Sequence, residues 1–406
     1  MSFKRIFFVT NEYVNQKTRE VFSGGLANYL YKITHILKEQ GHDVNVLVID
    51  DPWLTRDEED INLNGINIFY RMSKKRQVHE FFYKIFTGVN LKLVRKQTTI
   101  KKFLERENKK RKIDIIQYAS HCSPGLFPLQ SVPQCVRISS YNKMWQIMDN
   151  LHNSSLVSQE REMYKKHKFI YGPLKYIADL IKEDLSLKVD IKTIETPFQP
   201  KEVAEDLSSF NKLAEMTKGK PYLLFYGRPS NLKGCREIAD CIYDVLSAYP
   251  DLFFVLVGEQ MPMEGILPED IMRESAKEHA GRVVFFDRMQ HDNLYPIIKG
   301  ARACVLPSRI ENFSNVCIEA MSLRKIVVGT TPFFDQIIEN GKNGFLCEAS
   351  NAHSLKLAID KVMQLSQEEL EEMEECAHAT ISRLHPDKIV KELLEYYDFV
   401  IENWGK

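Results

Sequence analysis

Short apolar runs alternate with helix-length amphipathic segments along most of the chain. That rhythm predicts alternating strand and helix, and hence parallel sheet. In the first half the strand candidates are 5–10, 43–49, 66–71, 114–119, 135–140 and 169–172. They read as unbroken apolar runs such as RIFFVT and DVNVLVI, as strands do when both faces are covered. Helices fit near 24–40, 78–111, 154–166 and 174–185, the second breaking around Gly88.

The rhythm pauses over 195–220, a polar stretch without a strand. It resumes with strands at 221–227, 252–258, 283–287, 303–307 and 326–330. Helices then fit near 234–248, 270–279, 291–300, 315–323, 333–339, 352–365 and 367–383. The pause predicts a domain boundary, with a first domain over 1–197 and a second over 198–387. A last amphipathic segment follows Pro386, and a helix over 388–406 is expected to pack back on the first domain.

Composition narrows the class. The 406 residues are 44% hydrophobic and 27% charged, as in a soluble globular protein. No apolar run reaches the roughly 18 residues of a membrane span. The apolar run Ile6 to Val9 is too short for a secretory leader and ends at Asn11 and Glu12, so it reads as the first strand of a cytoplasmic protein. The eight cysteines form no CxxC pair, which excludes a zinc knuckle or a thioredoxin motif and predicts buried, reduced thiols. The run EELEEMEE at 368–375 is a charged helix face, without the spaced oxygens of a calcium loop.

The net charge of zero hides an asymmetry. Residues 1–200 carry 32 basic and 22 acidic side chains, and 201–406 carry 23 and 33. Segment 71–112 holds 15 basic and 3 acidic residues, interleaved with Phe81, Phe82, Tyr83 and Phe86. It is either a solvated helix face beside a basic loop or a peripheral contact with an anionic membrane. No recognition motif accompanies the charge, so nucleic acid is not an expected partner. Neither GxxxxGK[ST] nor GxGxxG is present, which argues against a P-loop kinase or a common nicotinamide dehydrogenase.

Open α/β sheets bind ligands beyond the carboxyl ends of their strands. After the first strand, Gly24 and Gly25 precede a helix start that could offer N–H groups to an anion. The same pair also fits a plain flexible turn. After strand 221–227, Arg228 and Lys233 flank a turn in GRPSNLKG, a plausible diphosphate clamp of one forked and one point cation. After strand 303–307, Glu311 lies in the loop and Glu319 one turn into the next helix, near the free N–H groups of Phe313 to Val316. Carboxylates suit hydroxyl-rich ligands because each accepts several hydrogen bonds.

The order GRPSNLKG, LVGE (256–259), FFDRM (285–289), LPSRIENFSNVCIEAMSLRKIVVG (306–329) and ENGKNGFL (339–346) resembles the retaining glycosyltransferases of family four. The likeness covers the second half well and the first half loosely. It implies the GT-B fold, an α/β architecture of two Rossmann-like domains with parallel sheets facing across a cleft. It implies transfer of a sugar from a nucleotide-diphosphate sugar, with UDP favoured on base rates, to a glycan, lipid-linked or protein acceptor. Arg228 and Lys233 would hold the diphosphate, and Glu319 the ribose. Glu311 would lie by the donor sugar above the backbone of Asn312, Phe313, Ser314 and Asn315. Gly24, Gly25 and Gly258 would border the donor, Arg288 and Met289 the base, and His121 the reacting carbon. No DxD-type pair ends a strand, so neither metal nor other cofactor is expected.

Two departures stand out. Asn312-Phe313-Ser314 replaces a Gly-Phe-Gly type run, and Asp335 stands where a Glu commonly precedes ENGKNGF. Competing readings are a sugar-nucleotide 2-epimerase-like isomerase and a non-catalytic partner subunit of the same fold.

Overall fold

The first apolar run, Arg5–Thr10, is buried along its whole length, because it lies at the middle of a sheet with neighbours on both sides. The computed structural model describes residues 3–21, 24–50, 58–73, 91–149 and 154–406. It divides into two units, Met1–Pro197 with Pro386–Lys406, and Phe198–His385.

The chain enters the first unit through β1 (Arg5–Thr10), α1 (Gly25–Glu39), β2 (Asp43–Ile49), β3 (Glu59–Leu63) and β4 (Ile66–Arg71). It continues with α2 (Leu91–Lys110), β5 (Ile115–Ala119), β6 (Gln134–Arg137), α3 (Asn142–Asp149) and α4 (Ser154–Lys166). Then come β7 (Ile170–Gly172), α5 (Lys175–Asp184) and β8 (Ile191–Thr193). The sheet order is β3-β4-β2-β1-β5-β6-β7-β8, parallel except for β3 against β4. Helix α1 buries Ala27, Tyr29, Leu30, Ile33, Thr34 and Leu37, a stripe that recurs about once per helical turn.

The second unit runs α6 (Ser208–Thr217), β9 (Tyr222–Tyr226), α7 (Cys235–Ala248), β10 (Phe253–Val257), α8 (Pro268–Ala276), β11 (Val283–Phe286) and α9 (His291–Gly300). It closes with β12 (Ala303–Val305), α10 (Asn315–Ser322), β13 (Val327–Thr331), β14 (Gly344–Glu348), α11 (Ala352–Gln364) and α12 (Gln367–Ile381). Its sheet order is β11-β10-β9-β12-β13-β14, parallel at every pairing described. Helix α13 (Pro386–Glu402) then packs in the first unit, against α1 and β6. Tyr397 donates from its hydroxyl to Gln117 Oε1, and Lys4 pairs with Asp398 at 2.8 Å.

Both sheets reverse their direction of growth once. In the first the chain steps outward from β1 to β2 and β4, then starts again on the other side at β5. In the second it steps from β9 to β10 and β11, then starts again at β12. At each reversal two loops diverge from adjacent carboxyl strand ends and leave a crevice. These crevices position the candidate residues.

The structure differs from the sequence reading in places. Segment 333–339 is a buried pair of turns. Phe334 N donates to Thr330 O, and Ile337 N and Ile338 N both donate to Phe334 O, closing successive turns rather than a helix. Its helical spacing arises because Phe333, Phe334, Ile337 and Ile338 all face the core. The polar pause contains α6, and β3, β8, β14 and α3 are additional elements. In the basic segment, Leu91–Lys110 is helix α2, while 74–90, with the four aromatics and Gly88, lies outside the described residues. No described helix is long and apolar enough to cross a membrane.

Candidate active site

In the second unit the crevice lies between the loops after β9 and β12. The first loop needs glycine twice. Gly234 has φ +79°, and a Cβ there would fall 2.0 Å from Pro307 O in the second loop. Gly227 has φ +126°, and the neighbouring Gly258 has φ +151° with a virtual Cβ 1.6 Å from Gly227 O. Backbones therefore touch where side chains would hold them apart. Gly227 N donates to Val257 O and Gly258 N to Phe286 O, which laces the ends of β9, β10 and β11 together.

This close approach sets Lys233 beside Glu311. The ammonium lies 2.6 Å from Glu311 Oε2, and Ser308 Oγ donates to the same oxygen at 3.4 Å. The pair keeps partial access, with the lysine side chain 31% exposed and the glutamate 14%. Behind it, Arg309 donates from Nε to Glu237 Oε1 of α7 at 2.7 Å, and its backbone N–H to Leu232 O at 2.9 Å. A buried carboxylate thus ties the two loops from within. Arg228 stands at the tip of the first loop, exposed, with no hydrogen bond or ion pair among the described residues.

Ser314 caps α10, its hydroxyl accepting from Cys317 N at 3.3 Å. Phe313 is buried beneath the loop, Asn312 is half-buried, and Asn315 is exposed at the first turn. Glu319, one turn on, shares a face with Asn315. Its Oε1 receives Tyr295 OH at 3.3 Å and His291 Nε2 at 3.1 Å, both from α9. The tautomer follows from the other ring nitrogen. Lys201 Nζ, which can only donate, lies 3.4 Å from His291 Nδ1. Nδ1 therefore accepts, and the ring proton sits on Nε2, aimed at Glu319. Arg288 and Met289 lie in the loop between β11 and α9, the arginine exposed and the methionine half-buried.

The first unit has its own cluster, between the loops after β1 and β5. Gly24 caps α1 with extended backbone, and a Cβ there would fall 3.2 Å from Glu12 Oε2. Gly25 opens the helix and is exposed. Glu12 Oε1 lies 3.5 Å from His121 Nε2. The His121 imidazole is held above its ordinary range, chiefly by a hydrogen bond with the Cys122 thiol, with burial opposing and Glu12 assisting. Nearby, Glu160 is fully buried and accepts from Asn142 N at 2.7 Å. Burial pushes its carboxyl up to about 8.

Of the residues singled out from sequence, Lys233 meets Glu311 directly, and Glu319 is oriented within the same unit. Gly24 and His121 share Glu12 as a neighbour in the first unit. Asp335 accepts from Thr331 Oγ1 at 3.0 Å and is exposed rather than part of the Lys233–Glu311 pair. His291, Tyr295, Arg309, Glu237 and Glu12 were not singled out. The i, i+4 pair His291 and Tyr295 at the start of a helix after a strand was the available signal for two of them. Among the described residues no group of three or more His, Cys, Asp or Glu side chains is placed to hold a metal ion.

Comparison with known proteins gives a consistent picture. The family described as glycosyl transferases group 1 matches residues 209–395. Two uncharacterized glycosyltransferases of Methanocaldococcus jannaschii are similar in sequence. One is 29% identical over 35% of this chain and 37% of its own length. The other is 25% identical over 50% of this chain and 51% of its own. The chain thus spans about half, or less, of the curated relatives it matches. Among solved structures, sucrose-phosphate synthase from Thermosynechococcus elongatus aligns over 98% of this chain and 100% of its own, with TM-score 0.74 and 15% identity. The UDP-forming α,α-trehalose-phosphate synthase from Burkholderia xenovorans, in complex with glucose-6-phosphate, covers 97% and 100%, with TM-score 0.71 and 10% identity. Anabaena HepE in complex with UDP covers 97% and 100%, with TM-score 0.68 and 15% identity.

Proposed function

With residues 209–395 belonging to the glycosyl transferases group 1 family and the chain having the GT-B architecture, we propose that this protein is a retaining, metal-independent glycosyltransferase. It would move a sugar from a nucleotide-diphosphate sugar, a uridine nucleotide first among them, to a glycan, lipid-linked or protein acceptor. The observation that carries the proposal is the half-exposed ion pair of Lys233 and Glu311 at the topological switch point of the second sheet. The uridine preference draws support from a fold neighbour whose structure holds UDP.

The chemistry follows from charge. Breaking the sugar–phosphate bond leaves negative charge on the diphosphate and positive character on the sugar ring. Lys233 and Arg228 supply fixed positive charge for the first, and the start of α10 supplies unpaired N–H groups. Glu311 holds the ammonium in place and would share it with the diphosphate, leaving a carboxylate oxygen for sugar hydroxyls. Glu319 would receive the ribose hydroxyls, its carboxylate already aimed by His291 and Tyr295. With this much local cation, the diphosphate leaves without a divalent ion. In the first unit, Glu12 orients His121 on the acceptor side.

Calorimetry with UDP, GDP and ADP, followed by release of free nucleotide from the matching sugar donors, tests the reading. UDP binding in the micromolar range without added metal, lost in Glu319→Ala, is the expected result. No binding of any of the three nucleotides sinks it.

A further inference from the structure

The first unit ends its opening stretch at Pro197, and the segment that follows lies along helix α9 before it enters α6. Several contacts fasten it there, all within the second unit. Asp206 N donates to Asp292 O at 3.1 Å, and Asn293 Nδ2 to Asp206 Oδ2 at 3.2 Å. Ser208 and Ser209 donate from their hydroxyls to Asn293 Oδ1 at 3.1 and 2.8 Å, and Lys299 pairs with Glu205.

Lys201 of this segment touches both side chains that hold Glu319. Its Nζ lies 3.4 Å from His291 Nδ1, and its main chain is a hydrogen-bond partner of the Tyr295 hydroxyl. His291 and Tyr295, four residues apart on α9, both donate to Glu319 Oε1, at 3.1 and 3.3 Å. Two donors on one oxygen keep the carboxylate from turning. Oε2 has no partner among the described residues, and the side chain is 14% exposed, which leaves that oxygen for an incoming hydroxyl.

The ammonium matters because a neutral imidazole has two tautomers. Were the ring proton on Nδ1, Nε2 would face the carboxylate with a lone pair and the bond would be lost. An ammonium has only protons to offer, so that tautomer sets donor against donor at Nδ1. Lys201 thus adds to the pull of the carboxylate itself and keeps the proton on Nε2.

We propose that Lys201 is a positioning residue for nucleotide recognition: it fixes His291 and Tyr295, and through them the Glu319 oxygen that receives the ribose hydroxyls. The inference deepens the proposed function and rests on its ribose role for Glu319. Recognition of the ribose, rather than of the diphosphate, then depends on a segment that touches no part of the nucleotide.

The test is calorimetry on the full chain, with whichever of UDP, GDP and ADP the wild type binds most tightly and with the 2′,3′-dideoxy form of that nucleotide. Wild type should prefer the ordinary form. Lys201→Met keeps the aliphatic stem and the main-chain contact with Tyr295 but removes the ammonium. It should weaken the ordinary form about three- to tenfold and leave the dideoxy form within about twofold of wild type. Lys201→Arg, which also has only protons to offer, should recover most of the loss. A purely structural role, or a long-range effect of charge, would weaken both forms alike. Equal weakening of both, or unchanged affinity for the ordinary form, overturns the inference, while a wild-type preference for the ordinary form leaves the proposed function standing. Absence of that preference in the wild type removes the ribose role of Glu319, and the inference with it.

Discussion

Lys233 carries one charge with two claims on it, a carboxylate 2.6 Å away and the diphosphate of the proposed donor. Replacing it by alanine should lower kcat about 100- to 1,000-fold, in line with ~3–4 kcal/mol for one preorganised donor. The thermal midpoint should move little, because an exposed or half-exposed pair contributes about 1 kcal/mol or less. Steady-state kinetics beside a melting curve measures both, and a kcat within about threefold of wild type would remove the diphosphate role. A conservative His291→Phe change probes Glu319 differently. Losing the Nε2 donor should weaken nucleotide binding about five- to thirtyfold, read by calorimetry, since one hydrogen bond to a charged group is worth roughly 1–2 kcal/mol. The positions of Lys233 and Glu319 after strand ends were legible because strand ends in an α/β sheet can be located from apolar runs. His291 and Tyr295 were not, because they orient Glu319 from a helix on a different strand–helix unit. Nothing in linear spacing joins 291 to 319.

At the scale of elements, the loops depend on backbone contact and on one buried ion pair. Gly258→Ala puts a methyl where Gly227 O already sits, at a backbone angle that side chains avoid. It should destabilise the second unit by about 3 kcal/mol and abolish nucleotide binding, as followed by denaturant unfolding and calorimetry. Arg309→Leu leaves Glu237 buried without its cation and should cost about 3–5 kcal/mol. Adding Glu237→Leu in the same chain should recover most of that loss, and no recovery would mean that the pair is not the tie between the loops. The strands flanking these loops were readable because both faces of each are covered. Edge strand β3, with alternating half-buried and exposed residues, and the three-residue β8 carry too little apolar signal to stand out. Segment 333–339 misled for the opposite reason, its apolar spacing belonging to a buried turn.

For the whole molecule, two buried groups set the pH response. Glu160 is pushed up to about 8, so the folded state holds a proton that the unfolded chain releases above its ordinary 4.5. Its contribution is full below that value and is lost as pH rises toward 8, on the order of 4 kcal/mol in all. His167, buried and donating from Nε2 to Gly125 O at 2.8 Å, is pushed down to about 4 by its burial. Its contribution is present above the ordinary imidazole range and is lost as pH falls toward 4. The two windows overlap, so the opposite slopes offset one another between about pH 4.5 and 6.5, and stability should be highest across that range and fall on either side. Glu160→Gln should flatten the decline from about pH 6.5 to pH 8, as urea midpoints would record, and an unchanged slope would contradict the assignment. The return of the last helix was foreshadowed by its amphipathic face after Pro386. Its partners on α1 and β6 could not be read, since their apolar faces look the same whichever helix covers them.

That return has a consequence for biosynthesis. Residues 386–402 complete the unit that begins at the amino terminus, and the whole of the other unit lies between them. On a ribosome the middle portion can finish folding while the earlier portion still waits, its surface on α1 bare of α13. Synthesis order and folding order are therefore inverted, and a stalled nascent chain would be most vulnerable to proteases in the part made first.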